Sequence, residues 1–179
     1  MSGHNKWAQI KHKKALTDKK RSAEFGKLAQ AIAVAARDNS DPKTNMKLKA
    51  IVEKARSMNM PNENIERAIK RVSDRSANAL EELVIEIITP FNIACIATAI
   101  TDNRNRTLNE LRTLVASFNA RMAESGSLMW MFKRNGAEFE PTYQIPLNSE
   151  HQVSLQNILE ALDDHPDVQD IFTNAEFSE

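Results

Sequence analysis

Leu83-Val84-Ile85-Glu86-Ile87-Ile88-Thr89-Pro90-Phe91-Asn92-Ile93-Ala94-Cys95-Ile96-Ala97-Thr98-Ala99-Ile100 is the stretch at which the chain changes period. Before it, apolar residues recur at helical spacing. Within it, two β-branched runs flank Thr-Pro-Phe-Asn, a turn composition, which predicts an antiparallel strand pair. The single cysteine, Cys95, lies in the second run, so no disulfide forms within the chain and a reducing compartment is expected. That run falls short of the roughly 20 apolar residues that span a bilayer.

Downstream, Asp102-Asn-Arg-Asn-Arg106 follows the second strand, and Thr107-Leu-Asn-Glu110 reads as a capping box opening a helix with Leu108, Leu111, Val115 and Phe118. Arg104 and Arg106 at that helix N-terminus could grip phosphate. Equally, Asp102 could pair with one arginine while the asparagines satisfy the turn. Gly126-Ser127 leads into Leu128-Met-Trp-Met-Phe132, apolar on both faces and read as a central strand, with Trp130 and Phe132 in the core rather than on an exposed stacking platform. Asn135-Gly136 predicts a hairpin turn. The strand Glu138–Leu147 is interrupted by Pro141 and Pro146 and reads as an irregular edge. Ser149-x-x-Gln152 is a second capping box, before a helix carrying Leu155, Ile158, Leu159 and Leu162; Val168–Thr173 is the last strand. The order predicts an open, mainly antiparallel sheet with helices on one face.

Upstream, Ser73–Ala79 reads as a linker. Ahead of it lie three amphipathic patterns. Ser22 caps the first, with Phe25, Leu28, Ala29, Ile32 and Ala36 on one face. Asp41 and Pro42 open the second, with Leu48, Ile51, Val52 and Ala55. Asn62 caps the third, with Ile65, Ala68, Ile69 and Val72. Short connections make them a small bundle, with Met46, Met58 and Met60 filling gaps. Lys43, Lys47 and Lys54 fall on one face of the second helix, and Arg67, Lys70 and Arg71 on one face of the third. At the amino end, His4, Lys6, Trp7, Lys11, His12, Lys13, Lys14, Lys19, Lys20 and Arg21 form a basic arm with one acid, Asp18. Such an arm suits a phosphate backbone, ammonium groups replacing counterions and a ring stacking on a base. A solubilising tail has the same composition.

A net charge of zero hides a division: residues 1–75 hold 18 Lys/Arg and 8 Asp/Glu, residues 76–179 hold 6 and 16. The basic half is suited to a polyanion and the acidic half to scaffolding or a protein partner.

Several motifs then combine: Gly3-His-x-Lys-Trp-x-x-Ile-Lys-His-Lys-Lys-Ala15, Asn59-Met-Pro-x-x-x-Ile-Glu-Arg-Ala-Ile69, Thr101-Asp-Asn-Arg-Asn-Arg-Thr107, Gly126-Ser-x-x-Trp-Met-Phe132 and Asp167-Val-Gln169. Together they resemble the YebC/PmpR family. That family includes bacterial DNA-binding transcriptional regulators, ribosome-associated translation factors and the mitochondrial translational activator of cytochrome oxidase. The resemblance implies a nucleic-acid-binding regulator, either on the ribosome (ribosomal RNA or tRNA) or on promoter DNA. Its members carry a glycine-rich turn where this chain has Thr89–Asn92. They also insert a third α/β domain between the Trp-Met-Phe segment and the segment ending Asp-Val-Gln, whereas here Gly136 leads almost directly into that segment. The second domain is therefore expected to close without the insert.

Chemistry has little to stand on. Four glycines form no phosphate loop, no Cys/His cluster has metal spacing, and a buried Cys95 is a poor nucleophile. No catalytic residue, metal or cofactor is expected. The expected fold class is α+β: a basic arm at 1–21, a three-helix bundle at 22–75, and a mainly antiparallel α/β sandwich at 80–179. The expected function is a non-enzymatic, cytoplasmic regulator that binds nucleic acid. RNA on the ribosome is favoured because a flexible basic arm suits irregular RNA. DNA and a protein-adaptor role through the acidic half are the alternatives, and no membrane is involved.

Overall fold

The computed structural model describes residues 18–71 and 79–177. The chain divides into two compact units, one holding 16–82 with Ile100–Arg104, the other including Leu83–Ala99 and 105–177. The fold is α+β. Among the described residues no helix is long and apolar enough to cross a membrane.

The first unit is built on α1 (Asp18–Ala35), α2 (Met46–Ser57) and α3 (Asn62–Lys70). Leu28, Ile32, Ala36, Leu48, Val52, Ala55, Ile65 and Ala68 close one core, with Phe25, Ala29, Ile51 and Ile69 packed against it, as the helical spacing predicts. Each helix nevertheless starts elsewhere than expected. Ser22 lies inside α1, because Lys19, Lys20 and Arg21 are good helix formers whose charge does not interrupt the backbone ladder. Asp41 does not cap α2. Its carbonyl accepts from the Thr44 and Asn45 N–H groups and its carboxylate from Lys43 N–H, so Asp41-Pro42 closes a separate turn and Asn45 becomes the cap, accepting from Leu48 N–H at 3.0 Å. Lys43 consequently precedes α2. Asn62 is the first residue of α3 and Pro61 its cap, with no side-chain capping bond. Met60 is buried and Met58 partly so, but Met46 is 74% exposed. Val72 and the linker at 73–78 lie outside the described residues.

The second unit carries the sheet β3-β1-β2-β7, formed by β1 (Glu81–Ile88), β2 (Ala94–Thr101), β3 (Arg121–Met122) and β7 (Val168–Thr173). β1 and β2 are adjacent across a tight turn, a connection too short for anything but antiparallel pairing. β3 pairs antiparallel with β1, and β7 with β2. The two runs are apolar nearly throughout because the sheet is buried on both faces. Leu83, Ile85, Ile87, Cys95, Ala97 and Ala99 meet Leu111 and Val115 of α4 (Arg104–Ala116) and Leu155, Ile158, Leu159 and Leu162 of α5 (Ser149–Asp163). On the other face Ala94, Ile96 and Phe172 meet Leu128, Phe132 and Phe139. The helices therefore share one face, as expected. A hairpin of β4 (Phe132–Asn135) and β5 (Glu138–Pro141) packs on the other, and short β6 (Ile145–Pro146) and β8 (Ala175–Glu176) run parallel.

Four local expectations fail here. Thr107 is inside α4 and fully buried, its hydroxyl committed to Asp167 rather than to a cap. The Leu128–Phe132 run is a 3₁₀ turn (Met129–Met131), not a central strand, and Trp130 is 65% exposed while Phe132 is core. The hairpin turn is Gly136-Ala137: Asn135 still pairs with Glu138, and only Gly136 has positive φ (63°), as a turn of the II′ kind requires. Asn148, not Ser149, caps α5, accepting from His151 N–H at 2.8 Å.

Candidate nucleic-acid interface

Of the candidate residues, His4, Lys6, Trp7, Lys11, His12, Lys13 and Lys14, and the side chain of Lys19, lie outside the described residues. Lys20 and Arg21 are exposed in the first turns of α1. On α2 the seven-residue spacing brings Lys47 and Lys54 to one side, both exposed. Sequence reading passed over Lys49 and Arg56, which are also exposed and share the same spacing, roughly half a turn away from the first pair. On α3, Arg67, Lys70 and the C-cap residue Arg71 follow i, i+3, i+4, and all are exposed. The first unit thus carries cations on every helix.

Two details qualify the surface. Lys47 Nζ lies 2.7 Å from Glu82 Oε1, so a phosphate there would compete with an exposed ion pair. A cleft of about 570 Å³ opens at the end of α1 beside α3, lined by Ala36, Arg37, Asp38, Asn39, Ser40, Ile69 and Lys70. Arg37 donates to the Leu80 carbonyl there.

The arginines at the start of α4 meet carboxylates. Arg104 Nη1 lies 3.7 Å from Glu81 Oε2. Arg106 Nη2 lies 2.8 Å from Asp167 Oδ2, and its Nε lies 3.9 Å from Glu110 Oε2. Thr107 Oγ1 donates to the same Asp167 oxygen at 2.6 Å. Asp167 is buried, which by itself would raise its pKa; the hydrogen bonds from Thr107 and Arg106 and the charges of Arg106 and His165 more than offset this and hold the carboxyl below its ordinary range. The Asp167 N–H lies 3.2 Å from His165 Nδ1, and His165 Nε2 lies 3.1 Å from Glu110 Oε2. Glu110, His165 and Asp167 offer ligand atoms within 4.8 Å of one another. With Arg106 already among them, these groups form a chain of hydrogen bonds and ion pairs tying α4 to the start of β7. It joins the Thr101–Thr107 and Asp167-Val-Gln169 motifs in one place.

Two family descriptions match the chain: "TACO1/YebC protein N-terminal domain" over residues 5–75 and "TACO1/YebC second and third domain" over residues 80–137. A probable transcriptional regulatory protein of Syntrophomonas wolfei is 48% identical over 139 residues, 76% of this chain and 55% of that protein. One of Thermotoga petrophila is 49% identical over 138 residues, 76% of this chain and 54% of that protein. One of Kosmotoga olearia is 42% identical over 155 residues, 86% of this chain and 62% of that protein. The chain thus spans little more than half the length of these curated relatives. The crystal structure of a conserved hypothetical protein from Aquifex aeolicus superposes with a TM-score of 0.84 at 27% identity, covering 97% of this chain and 98% of that one. Residues 138–177, beyond the second family match, supply β5 to β8 and α5, and β7 completes the sheet against β2. With motifs, fold and both family descriptions in agreement, the chain belongs to the TACO1/YebC family.

Proposed function

We propose that this chain is a non-enzymatic regulator of gene expression that binds nucleic acid through its basic first unit, and that its target is RNA on the ribosome. The observation that carries the reading is the exposure of basic side chains on all three helices of that unit, next to a sequence arm of the same charge. The names of the relatives, probable transcriptional regulatory proteins, support the coarser part of it. They also favour a second reading, promoter DNA, since lysines on phosphate do not distinguish the polymers. The test is crosslinking of the full chain in cells with sequencing of the RNA and DNA recovered. Enriched ribosomal RNA is the expected result. Discrete promoter sites would overturn the RNA target, and recovery of neither polymer would overturn nucleic-acid binding itself in favour of a protein-adaptor role.

A further inference from the structure

Among the described residues Trp130 is the largest apolar side chain the second unit leaves in water, 65% exposed, and the fold goes to some length to leave it there. The segment that displays it is pinned on both sides. The buried carboxylate of Glu86, on β1, accepts the Gly126 N–H through one oxygen and the Leu128 N–H through the other at 2.6 Å. The Glu86 carbonyl takes the Ala123 N–H at 2.8 Å. A charged group is buried only where such bonds repay its desolvation, so this arrangement commits the turn to one position. Leu128 and Phe132 then enter the core, with Met129 and Met131 packed against the same cluster. Four of the five residues from Leu128 to Phe132 face inward, and Trp130 is the one that does not.

A second ring is brought beside it. Thr142 donates both its N–H, at 2.9 Å, and its hydroxyl, at 3.0 Å, to the Met131 carbonyl. This lays the chain after β5 along the turn and sets Tyr143, 42% exposed, with its ring centroid 6.1 Å from that of Trp130 and tilted by 33°. The rings are neighbours without being stacked face to face, so solvent retains access to both. Lys133 and Arg134, both exposed, follow directly in β4. Arg134 is turned over the Phe139 ring at 5.7 Å, which leaves Lys133 as the cation of the pair not engaged with a ring. Two neighbouring exposed rings offer an unpaired nucleotide π-faces for its base, and exposed Lys133, three residues on from Trp130, puts a positive charge for its phosphate in the same segment. In a closed duplex the bases are stacked on one another and offer no face, whereas RNA loops and bulges splay theirs out.

We infer that Trp130 and Tyr143 form a stacking platform for an unpaired base of RNA. This rests on the nucleic-acid reading above and adds to it a base contact on the second unit. The test uses the full chain, a single-stranded uridine-rich RNA, the same RNA in a duplex, a strand with abasic positions, and single-stranded DNA of the same sequence. Trp130→Ala should weaken single-stranded RNA binding by about 5- to 100-fold with the salt slope unchanged. Trp130→Phe should restore most of the affinity, and Tyr143→Ala should give a smaller loss. The duplex should be indifferent to all three substitutions, and the abasic strand should bind the wild type no better than the intact strand binds Trp130→Ala. Undiminished binding of the intact strand by Trp130→Ala, with wild-type binding robust, would overturn the platform and leave the nucleic-acid reading standing; it would point to a protein partner for the two rings. Equal losses on single strand and duplex would also overturn stacking. Single-stranded DNA bound as well as RNA, with the same loss on Trp130→Ala, would overturn the choice of RNA. A wild type that binds none of the four polymers would overturn the nucleic-acid reading itself.

Discussion

Asp167 shows how a single residue converts two distant motifs into one structural joint. Its buried carboxylate is held by Thr107 and Arg106, with His165 adding favourable charge, and its pKa is lowered despite burial. A carboxyl whose folded pKa lies below its unfolded value stabilises the fold above the unfolded pKa, and that contribution is lost as pH falls through the folded one. Asp167→Asn should therefore cost about 1–3 kcal/mol at neutral pH, the range for losing hydrogen bonds to a charged group. The gap between variant and wild type, followed by urea unfolding, should close as pH falls from about 4 into the folded range; a gap independent of pH would refute the ionic account. Cys95 makes the opposite case. Burial pushes its thiol up to about 12, against a smaller opposing effect of the Thr173 hydroxyl, so the native thiol is neither ionised nor accessible at neutral pH. Native protein should resist alkylation by iodoacetamide while protein in denaturant reacts at once; comparable rates in both states would contradict this. Burial of Cys95 was legible from its apolar run. The Asp167 joint was not, because its partners lie about 60 residues away and each segment read alone offered a local partner of its own: Asp102 for the arginines, a cap for Thr107.

At the scale of elements, stripes were legible and starts were not. The residues predicted to face inward on α1, α2 and α5 do so, because apolar spacing is set by burial and burial dominates the energetics. Helix starts depend instead on which of several neighbouring polar side chains wins a backbone N–H. Asn45 won over Asp41, and Asn148 over Ser149. Helix ends obey a simpler rule here. After α2, the Met60 N–H reaches Ala55 O and the Asn59 N–H reaches Arg56 O, with Asn59 at φ 61°. After α4, Ala120 and Asn119 repeat the pattern onto Val115 and Ala116, with Asn119 at φ 57°. Asn92, also at φ 57°, turns β1 into β2, so asparagine supplies the left-handed residue there too. The chain spends one of its four glycines inside α1 instead, where Gly26 is exposed and an added Cβ meets nothing within 4 Å. Gly26→Ala should raise stability by about 0.5–1 kcal/mol, through the entropy of the unfolded chain and with no new contact. Denaturant unfolding at a constant m-value would show it; a loss of stability would mean the helix surface there is not open.

At the scale of the whole molecule, the cores decide what can stand alone. The helical unit closes its own cluster around Ile32 and Leu48, while the sheet is sealed on one face by α4 and α5 and on the other by Phe132, Phe139 and Phe172. Among the described residues, none of the helical cluster appears in either sheet cluster. In the sequence the hydrophobic period changes after residue 80 and the sign of the charge reverses near the same point. The outward turn of Trp130 has no such mark, since an apolar pentapeptide reads as core whether or not one of its residues is left out. Residues 80–179 expressed alone should therefore fold. Every strand that the β2–β7 and β1–β3 pairings need lies within that segment, as do Glu86 and the loop it clamps and both helices of the sheet's covered face. At about 100 residues the segment is of a size that buries a core sufficient for independent stability. Thermal unfolding followed by far-UV circular dichroism and by Trp130 fluorescence should give one coincident, cooperative transition, because the single remaining tryptophan sits on the clamped turn and reports its release. A gradual loss of ellipticity, or a fluorescence change well below the main transition, would show that the sheet depends on residues before Leu80.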